Sequence, residues 1–275
     1  KPGHLILPGR QHCGEVEVTD IGIPSGVLKK ISPVIAENLP QLWADKLPVP
    51  TPDFHKYSRG HVVIVGGSEM TGAARLAARA ARRAGAGILS IVSPTNAKHI
   101  YEISDAGNLV LELPAKKGLS GILDNKRRNA VLVGPGNGVT ELTRKNAITA
   151  LTSKKAVVLD ADALTAFEGD PETLFGSIKG RCVLTPHQGE FDRLFKFNGD
   201  KLSRCREAAK LADSVIILKG FDTIIAEPNG RVVINANAPA DLATAGAGDV
   251  LAGIIIGLMS QGMEAFEAAC AAVWL

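Results

Sequence analysis

Short β-branched runs alternate with helical stretches along most of this chain, and nearly every run breaks off in glycines or a polar turn. His61–Val65 ends in Gly66-Gly67-Ser68 and hands over to an Ala- and Arg-rich helical stretch, Thr71 to Ala84. Gly87–Val92 is a strand, with Gly85-Ala86-Gly87 as the stop of the helix before it. Leu109–Leu113 is a short apolar run. Ala130–Val133 ends in Gly134-Pro135-Gly136-Asn137-Gly138, before a helix over Val139–Thr152. Ala156–Leu159 ends in Asp160-Ala161-Asp162, and Arg181–Leu184 ends in Thr185-Pro186-His187-Gln188-Gly189-Glu190. A helix over Leu202–Ala212 precedes the strand Ser214–Leu218, which ends in Lys219-Gly220. Apolar strands separated by helices predict an α/β fold with a mostly parallel sheet covered on both faces. Ligands of such sheets bind beyond the carboxyl ends of the strands, where 66–72, 134–138, 185–190 and 219–223 all fall. Thr223–Ala226 and Arg231–Ile234 flank a Pro-Asn-Gly turn and predict a hairpin.

The 275 residues, 45% hydrophobic and 21% charged, suit one large α/β domain, or one domain plus an appendage. The net charge of +3 is too mild to indicate nucleic acid. Gly253 to Met259 is apolar but far short of the roughly 20 residues that cross a bilayer, so no membrane role is expected. Four cysteines, none in a CxxC pair, read as reduced thiols of a cytoplasmic protein rather than disulfides or zinc ligands. Residues 1–24 hold one strand candidate, Gly14 to Ile21, with no partner before it. Residues 25–57, with Pro33, Pro40, Pro48, Pro50 and Pro52, read as a linker or arm. The domain proper then runs over 58–275.

The most informative chemistry lies at Ala243-Thr244-Ala245-Gly246-Ala247-Gly248-Asp249-Val250, with an apolar helix directly after it to about Gln261. Small residues permit a tight turn whose N–H groups point at one anion, and the helix adds its positive end. Asp249 sits where the chain meets that anion. A carboxylate beside a phosphate is repulsive unless it has a task, and the natural task is to take a proton from an attacking hydroxyl. Lys219, Gly220 and Thr223 follow an apolar strand and suit nucleotide phosphates. His187 is placed to hydrogen-bond a polar ligand, and Glu190 to hold a water on Mg2+. Asp162 is expected to cap the following helix, while Asp160 is left open between a cap and a water-mediated metal contact. The stretch 66–73 lacks the GxGxxG spacing, which excludes a Rossmann dehydrogenase.

In this order, GGSEMTGAARLAARAARRAGAG, VLVGPGNG, VVLDADAL, VLTPHQGEF, ILKGFDT and ATAGAGDVLAGIIIGLMSQG resemble the nucleotide-dependent NAD(P)H-hydrate dehydratases of the ribokinase-like superfamily. The matching stretches span residues 60 to 275. TPHQGE beside GPGNG separates this family from the thiamine-pathway kinases. The resemblance implies a ribokinase-like fold and a repair reaction: the terminal phosphoryl group of ADP or ATP moves to the hydroxyl of hydrated NADH or NADPH, and phosphate then leaves. It implies Asp249 as the base and the N–H groups of Ala245, Gly246, Ala247 and Gly248 as the anion hole. It implies Lys219, Gly220, Phe221, Asp222, Thr223 and Gly248 at the nucleotide, with Ala73, Gly136, His187 and Asp249 at the hydrate. Mg2+ is implied between the phosphates and acids such as Glu190, and a homo-oligomer, a tetramer, is the family expectation. Residues 1–24 are similar to the tail of the epimerase domain fused to this dehydratase in many bacteria. The end at Trp274-Leu275 falls inside an expected helix, so the chain reads as a trimmed bifunctional protein. Two features depart from the pattern: a short loop between Ser68 and Thr71, and Ala238-Pro239-Ala240 in place of a glycine-bearing loop.

Two other readings use the same residues. A small-molecule alcohol kinase of the same superfamily yields a stable phosphate ester instead of free phosphate and reduced cofactor. A non-catalytic nucleotide-binding module binds without turnover, but pure binding prefers a neutral residue at position 249.

Overall fold

A computed structural model describes residues 2–275. The strands are β1 (Ile35–Glu37), β2 (His61–Val65), β3 (Ile88–Ser93), β4 (Leu109–Glu112), β5 (Ala130–Val133), β6 (Ala156–Leu159), β7 (Cys182–Leu184), β8 (Val215–Leu218), β9 (Ile224–Ala226) and β10 (Val232–Ile234). The helices are α1 (Ser25–Ile31), α2 (Thr71–Arg83), α3 (Lys98–Glu102), α4 (Gly118–Leu123), α5 (Glu141–Thr152), α6 (Asp162–Thr165), α7 (Pro171–Ser177), α8 (Gln188–Leu194), α9 (Lys201–Ala212), α10 (Ala247–Ser260) and α11 (Ala265–Trp274). The sheet order is β1-β10-β9-β8-β7-β6-β5-β2-β3-β4. Only β9 runs against its neighbours, pairing antiparallel with both β8 and β10. Gly230, at φ +93°, closes the predicted turn before β10.

Alternate residues of each central strand serve two cores. Val62 and Ile64 face the layer of α2, α10 and α11, whereas Val63 and Val65 face that of α5, α8 and α9. β2 lies between β3 and β5. From β2 the chain builds outward through β3 and β4, then returns to the other side of β2 at β5. The connections leaving β2 and β5 therefore part in opposite directions, and a crevice opens beyond their carboxyl ends.

The first 57 residues depart from the sequence reading. Gly14 to Ile21 forms no strand; it is exposed, and no described strand pairs with it. Residues 35–47 are no linker. β1 pairs in parallel with β10, and the buried Asn38 amide donates to Asn235 Oδ1 (2.9 Å) and to the Cys270 carbonyl (2.8 Å). Trp43 is buried and donates to Asn38 Oδ1 (3.2 Å), and its ring lies 5.7 Å from that of Trp274. The prolines that suggested a loose arm allow an edge strand followed by short 3-10 turns. Among the described residues, no helix is long and apolar enough to cross a membrane.

Candidate active site

The crevice begins with two glycine loops in contact. A Cβ added to Gly67 would lie 1.6 Å from the Gly136 carbonyl oxygen, so the loop after β2 touches the loop after β5 backbone to backbone. Asn137 locks the second loop: its Oδ1 accepts from Gly134 N–H (2.9 Å) and its Nδ2 donates to the Val65 carbonyl (2.8 Å). The buried Tyr101 hydroxyl donates to the Gly67 carbonyl (2.8 Å). Burial pushes that phenol up to about 12, so it stays a donor. Ala73 lies against Gly136, with its Cβ 3.2 Å from where a Gly136 Cβ would stand. The two residues expected at the hydrate are thus adjacent.

Beyond β6, Ala161 adopts φ +48° and ψ −120°, a strained conformation for a residue with a side chain. The kink aims its neighbours at different partners. Asp162 accepts from Gly138 N–H (2.8 Å) and begins α6, so it does not act as the helix cap that its position suggested. Asp160, 2% exposed, accepts from Lys219 Nζ (2.7 Å) and Thr185 Oγ1 (2.7 Å) through Oδ1. A buried carboxylate needs such partners. The sequence left Asp160 open because its partner Lys219 lies 59 residues away.

Lys219 follows β8, and its N–H donates to the Pro186 carbonyl (2.9 Å). A single bridge joins its backbone to His187, so the β7 and β8 ends present both residues together. His187 is exposed and caps α8: its Nδ1 accepts from Gly189 N–H (2.9 Å) and Glu190 N–H (3.3 Å). Glu190 completes the capping box by accepting the His187 N–H through Oε2 (2.8 Å). Its Oε1 lies 3.5 Å from His187 Nε2. Glu190 is therefore buried in its own turn rather than presented to a cation as expected. The turn 220–223 is closed by Thr223 Oγ1, which donates to the Gly220 carbonyl (2.6 Å) and accepts its N–H (3.1 Å). Phe221 is exposed. Asp222, expected at the nucleotide, already has partners within the protein. It is buried against Lys201 Nζ and accepts the Leu7 N–H (2.9 Å).

α10 starts in the same crevice. Gly246 takes φ +92°, a left-handed turn that glycine adopts without strain. No side chain caps the helix. The N–H groups of Ala245, Gly246, Gly248 and Asp249 meet no acceptor among the described residues, while that of Ala247 reaches the Thr244 carbonyl at 3.4 Å. Free N–H groups plus the helix's positive end make an anion site. A Cβ on Gly248 would stand 3.5 Å from Lys219 Nζ and 3.8 Å from Asp160 Oδ2, so the ion pair borders this turn. Asp249 is half-buried at the third helical position. Burial first, then the charge of Asp160, raises its carboxyl above the ordinary value of 3.8; Lys219 pulls the other way and Asp162 adds a further upward push. A carboxylate held toward its protonated form is a better proton acceptor than a solvated one.

Among the described residues, no group of three or more His, Cys, Asp or Glu stands ready to cage a metal. Mg2+ is commonly held by one or two carboxylates plus substrate phosphates. Asp160 Oδ2, beside the free N–H groups, fits such a ligand better than Glu190.

A family model described as NAD(P)H-hydrate dehydratase matches residues 62–275. The bifunctional NAD(P)H-hydrate repair enzyme of Salinibacter ruber is 36% identical over 297 residues, covering 99% of this chain and 54% of the relative. The ADP-dependent (S)-NAD(P)H-hydrate dehydratase of Neisseria meningitidis serogroup B is 36% identical over 236 residues, 81% of this chain and 77% of the relative. The structure of ADP/ATP-dependent NAD(P)H-hydrate dehydratase from Bacillus subtilis, co-crystallised with ATP and Mg2+, superposes with a TM-score of 0.71 at 30% identity. That match covers 83% of this chain and 82% of the other. The chain spans about half the length of the bifunctional relatives it matches. Its fold is ribokinase-like. With its glycine loops, its anion turn and Asp249 gathered at one crevice, the chain belongs to the NAD(P)H-hydrate dehydratase family.

Proposed function

We propose that this domain dehydrates the hydrates of NADH and NADPH at the expense of ADP or ATP, with the hydroxyl of the hydrated nicotinamide ring as phosphoryl acceptor. The observation that carries this reading is Asp249, half-buried at the free N-terminus of α10 and within the field of Lys219 and Asp160. Asp249 takes the hydroxyl proton as the oxygen attacks the terminal phosphorus. The bond from that phosphorus to the nucleotide's bridging oxygen breaks. The N–H groups of Ala245, Gly246, Ala247 and Gly248 receive the transferring phosphoryl group as an oxyanion-hole-type site does. Lys219, with Gly220, Phe221 and Thr223, holds the nucleotide, while Ala73, Gly136 and His187 position the hydrate. Hydroxide leaves poorly and phosphate leaves well. The ring nitrogen lone pair expels the phosphate, and loss of a neighbouring C–H proton restores the ring double bond. Mg2+ held by Asp160 and the nucleotide phosphates would neutralise phosphate charge.

The Neisseria relative favours ADP as donor, and the bifunctional relatives favour a fused or cooperating epimerase. The four free thiols suit the reducing cytoplasm, where the cofactors are used. Incubation with hydrated NADH, Mg2+ and ADP or ATP tests the reading. Recovery of the reduced-nicotinamide absorbance with release of free phosphate is expected. Accumulation of a stable phosphate ester on a different alcohol, without cofactor repair, would assign a kinase instead.

The pH profile carries a separate prediction. kcat/KM is expected to fall on the acid side through a group above the ordinary 3.8 of an aspartate, because Asp249 acts only when deprotonated. Asp160→Asn removes one of the charges that raise it, so the acid limb is expected to move to lower pH. A limb that stays in place in Asp160→Asn contradicts the electrostatic account.

A further inference from the structure

The opposite end of the sheet holds a second concave site. β2, β3 and β4 begin at His61, Ile88 and Leu109, and these residues line a cavity of 380 Å3 with Lys56, Tyr57, Asn125, Arg127 and Arg128. The volume falls at the small end of ligand pockets. Gly87 and Gly107 also line it, so no side chain projects from these positions.

The lining carries three basic side chains, Lys56, Arg127 and Arg128, and no acid. Among the described residues, none of Lys56, Arg127 and Arg128 lies within 4.0 Å of a carboxylate. Nearby acids are engaged elsewhere: Asp105 pairs with Arg82 (3.0 Å) and Asp124 with Lys117 (3.6 Å). Arg127 instead lies over the Tyr57 ring at 4.5 Å, with Lys56 Nζ 5.4 Å from the same ring. Arg128 donates to the Ile122 carbonyl (2.5 Å), and its buried Nε meets no acceptor. The crowding is felt by other groups. Burial and then Arg128 hold His61 down to about 4 and depress Lys155. His61 is thus neutral, bonded through Nε2 to Ser90 Oγ (2.8 Å), and offers no further charge. Cations gathered in a concavity without counter-charge focus a positive potential and raise the local concentration of anions. Guanidinium groups match phosphate oxygens with paired donors.

The geometry points to this cavity as a second anion site, remote from the dehydratase crevice, that takes a phosphate-bearing small molecule no larger than a nucleotide through Lys56, Arg127 and Arg128. It does not depend on the activity proposed above. Pyrophosphate serves as the probe, read by titration calorimetry on the whole chain. The double variant Lys56→Ala/Arg127→Ala is expected to lose one binding equivalent, or about tenfold or more in Kd. Its dehydratase rate should stay unchanged, because neither residue lies in the crevice. Both residues are exposed, so the variant should fold. Arg127→Lys with Lys56 intact keeps the charge but not the paired donors, so its affinity should fall between those of the wild type and Arg127→Ala. Lys219→Ala, which alters the crevice, should leave this equivalent in place. Equal stoichiometry and Kd in wild type and double variant would overturn the inference. So would a change of oligomeric mass in the double variant without loss of pyrophosphate binding, which would make the patch a contact between copies. Loss of dehydratase activity in every protein, wild type included, would fail the functional proposal and leave this readout intact.

Discussion

Asp249→Asn is expected to lower turnover by about 10²-fold or more, the scale of general-base catalysis, while nucleotide affinity stays near that of the wild type. Asparagine keeps the size and hydrogen-bonding reach of the side chain but cannot accept the proton. The free N–H groups and Lys219, which are proposed to hold the phosphates, are untouched. Single-turnover kinetics beside nucleotide titration separates the two effects, and near-wild-type turnover would remove Asp249 as the base. The same variant should be more stable at neutral pH. In the folded chain Asp249 titrates above its unfolded value, so the fold binds this proton more tightly than the unfolded chain does. The native state is penalised above the raised value and relieved as pH falls through it toward 3.8. Asparagine carries no charge and escapes the penalty. A thermal midpoint above wild type at pH 7, converging with it in acid, is the expected pattern.

Gly67→Ala is expected to have the largest effect on stability. Its Cβ would overlap the Gly136 carbonyl at 1.6 Å, and that carbonyl cannot swing away because Asn137 ties the loop to Val65. Overpacking of this kind costs about 3 kcal/mol, or about 6–12 °C in Tm for a chain of this size. Turnover should fall as well, because the two loops that part are those proposed to flank the hydrate. A Tm within about 2 °C of wild type would show that the loops yield easily.

Much of this was legible in the sequence, for local reasons. The strand-ending glycines, the Pro-Asn-Gly hairpin and the octet before α10 are written in consecutive residues, and their turns follow from glycine and helix-end chemistry. The capping box of His187 and Glu190 was also visible as a spacing of three, yet it was read as ligand chemistry because a buried cap and an open ligand look alike in a string of letters. What stayed hidden depends on distant partners. β1 belongs to the sheet only because β10 lies beside it. Asp222 is buried and paired only because Lys201, 21 residues earlier, lies against it. Asp160 becomes a site residue only through Lys219. Such pairings are set by topology, which alternating patterns predict in class but not in detail.

α2 and α10 both open at the crevice, one from the glycine loop after β2 and one from the turn at Gly246. Just one helical turn past Asp249, Gly253 lies against the α2 backbone: a Cβ there would stand 2.3 Å from the Ala77 carbonyl oxygen. Gly257 repeats the contact a turn later, 2.7 Å from the Ala81 carbonyl oxygen. With little more than alanine methyls of α2 set against these glycines, the two rods pack nearly backbone to backbone, which leaves little room for one to slide past the other. The spacing between the loop after β2 and the turn before α10, the two places proposed to hold acceptor and phosphoryl group, is therefore set by the width of a glycine contact.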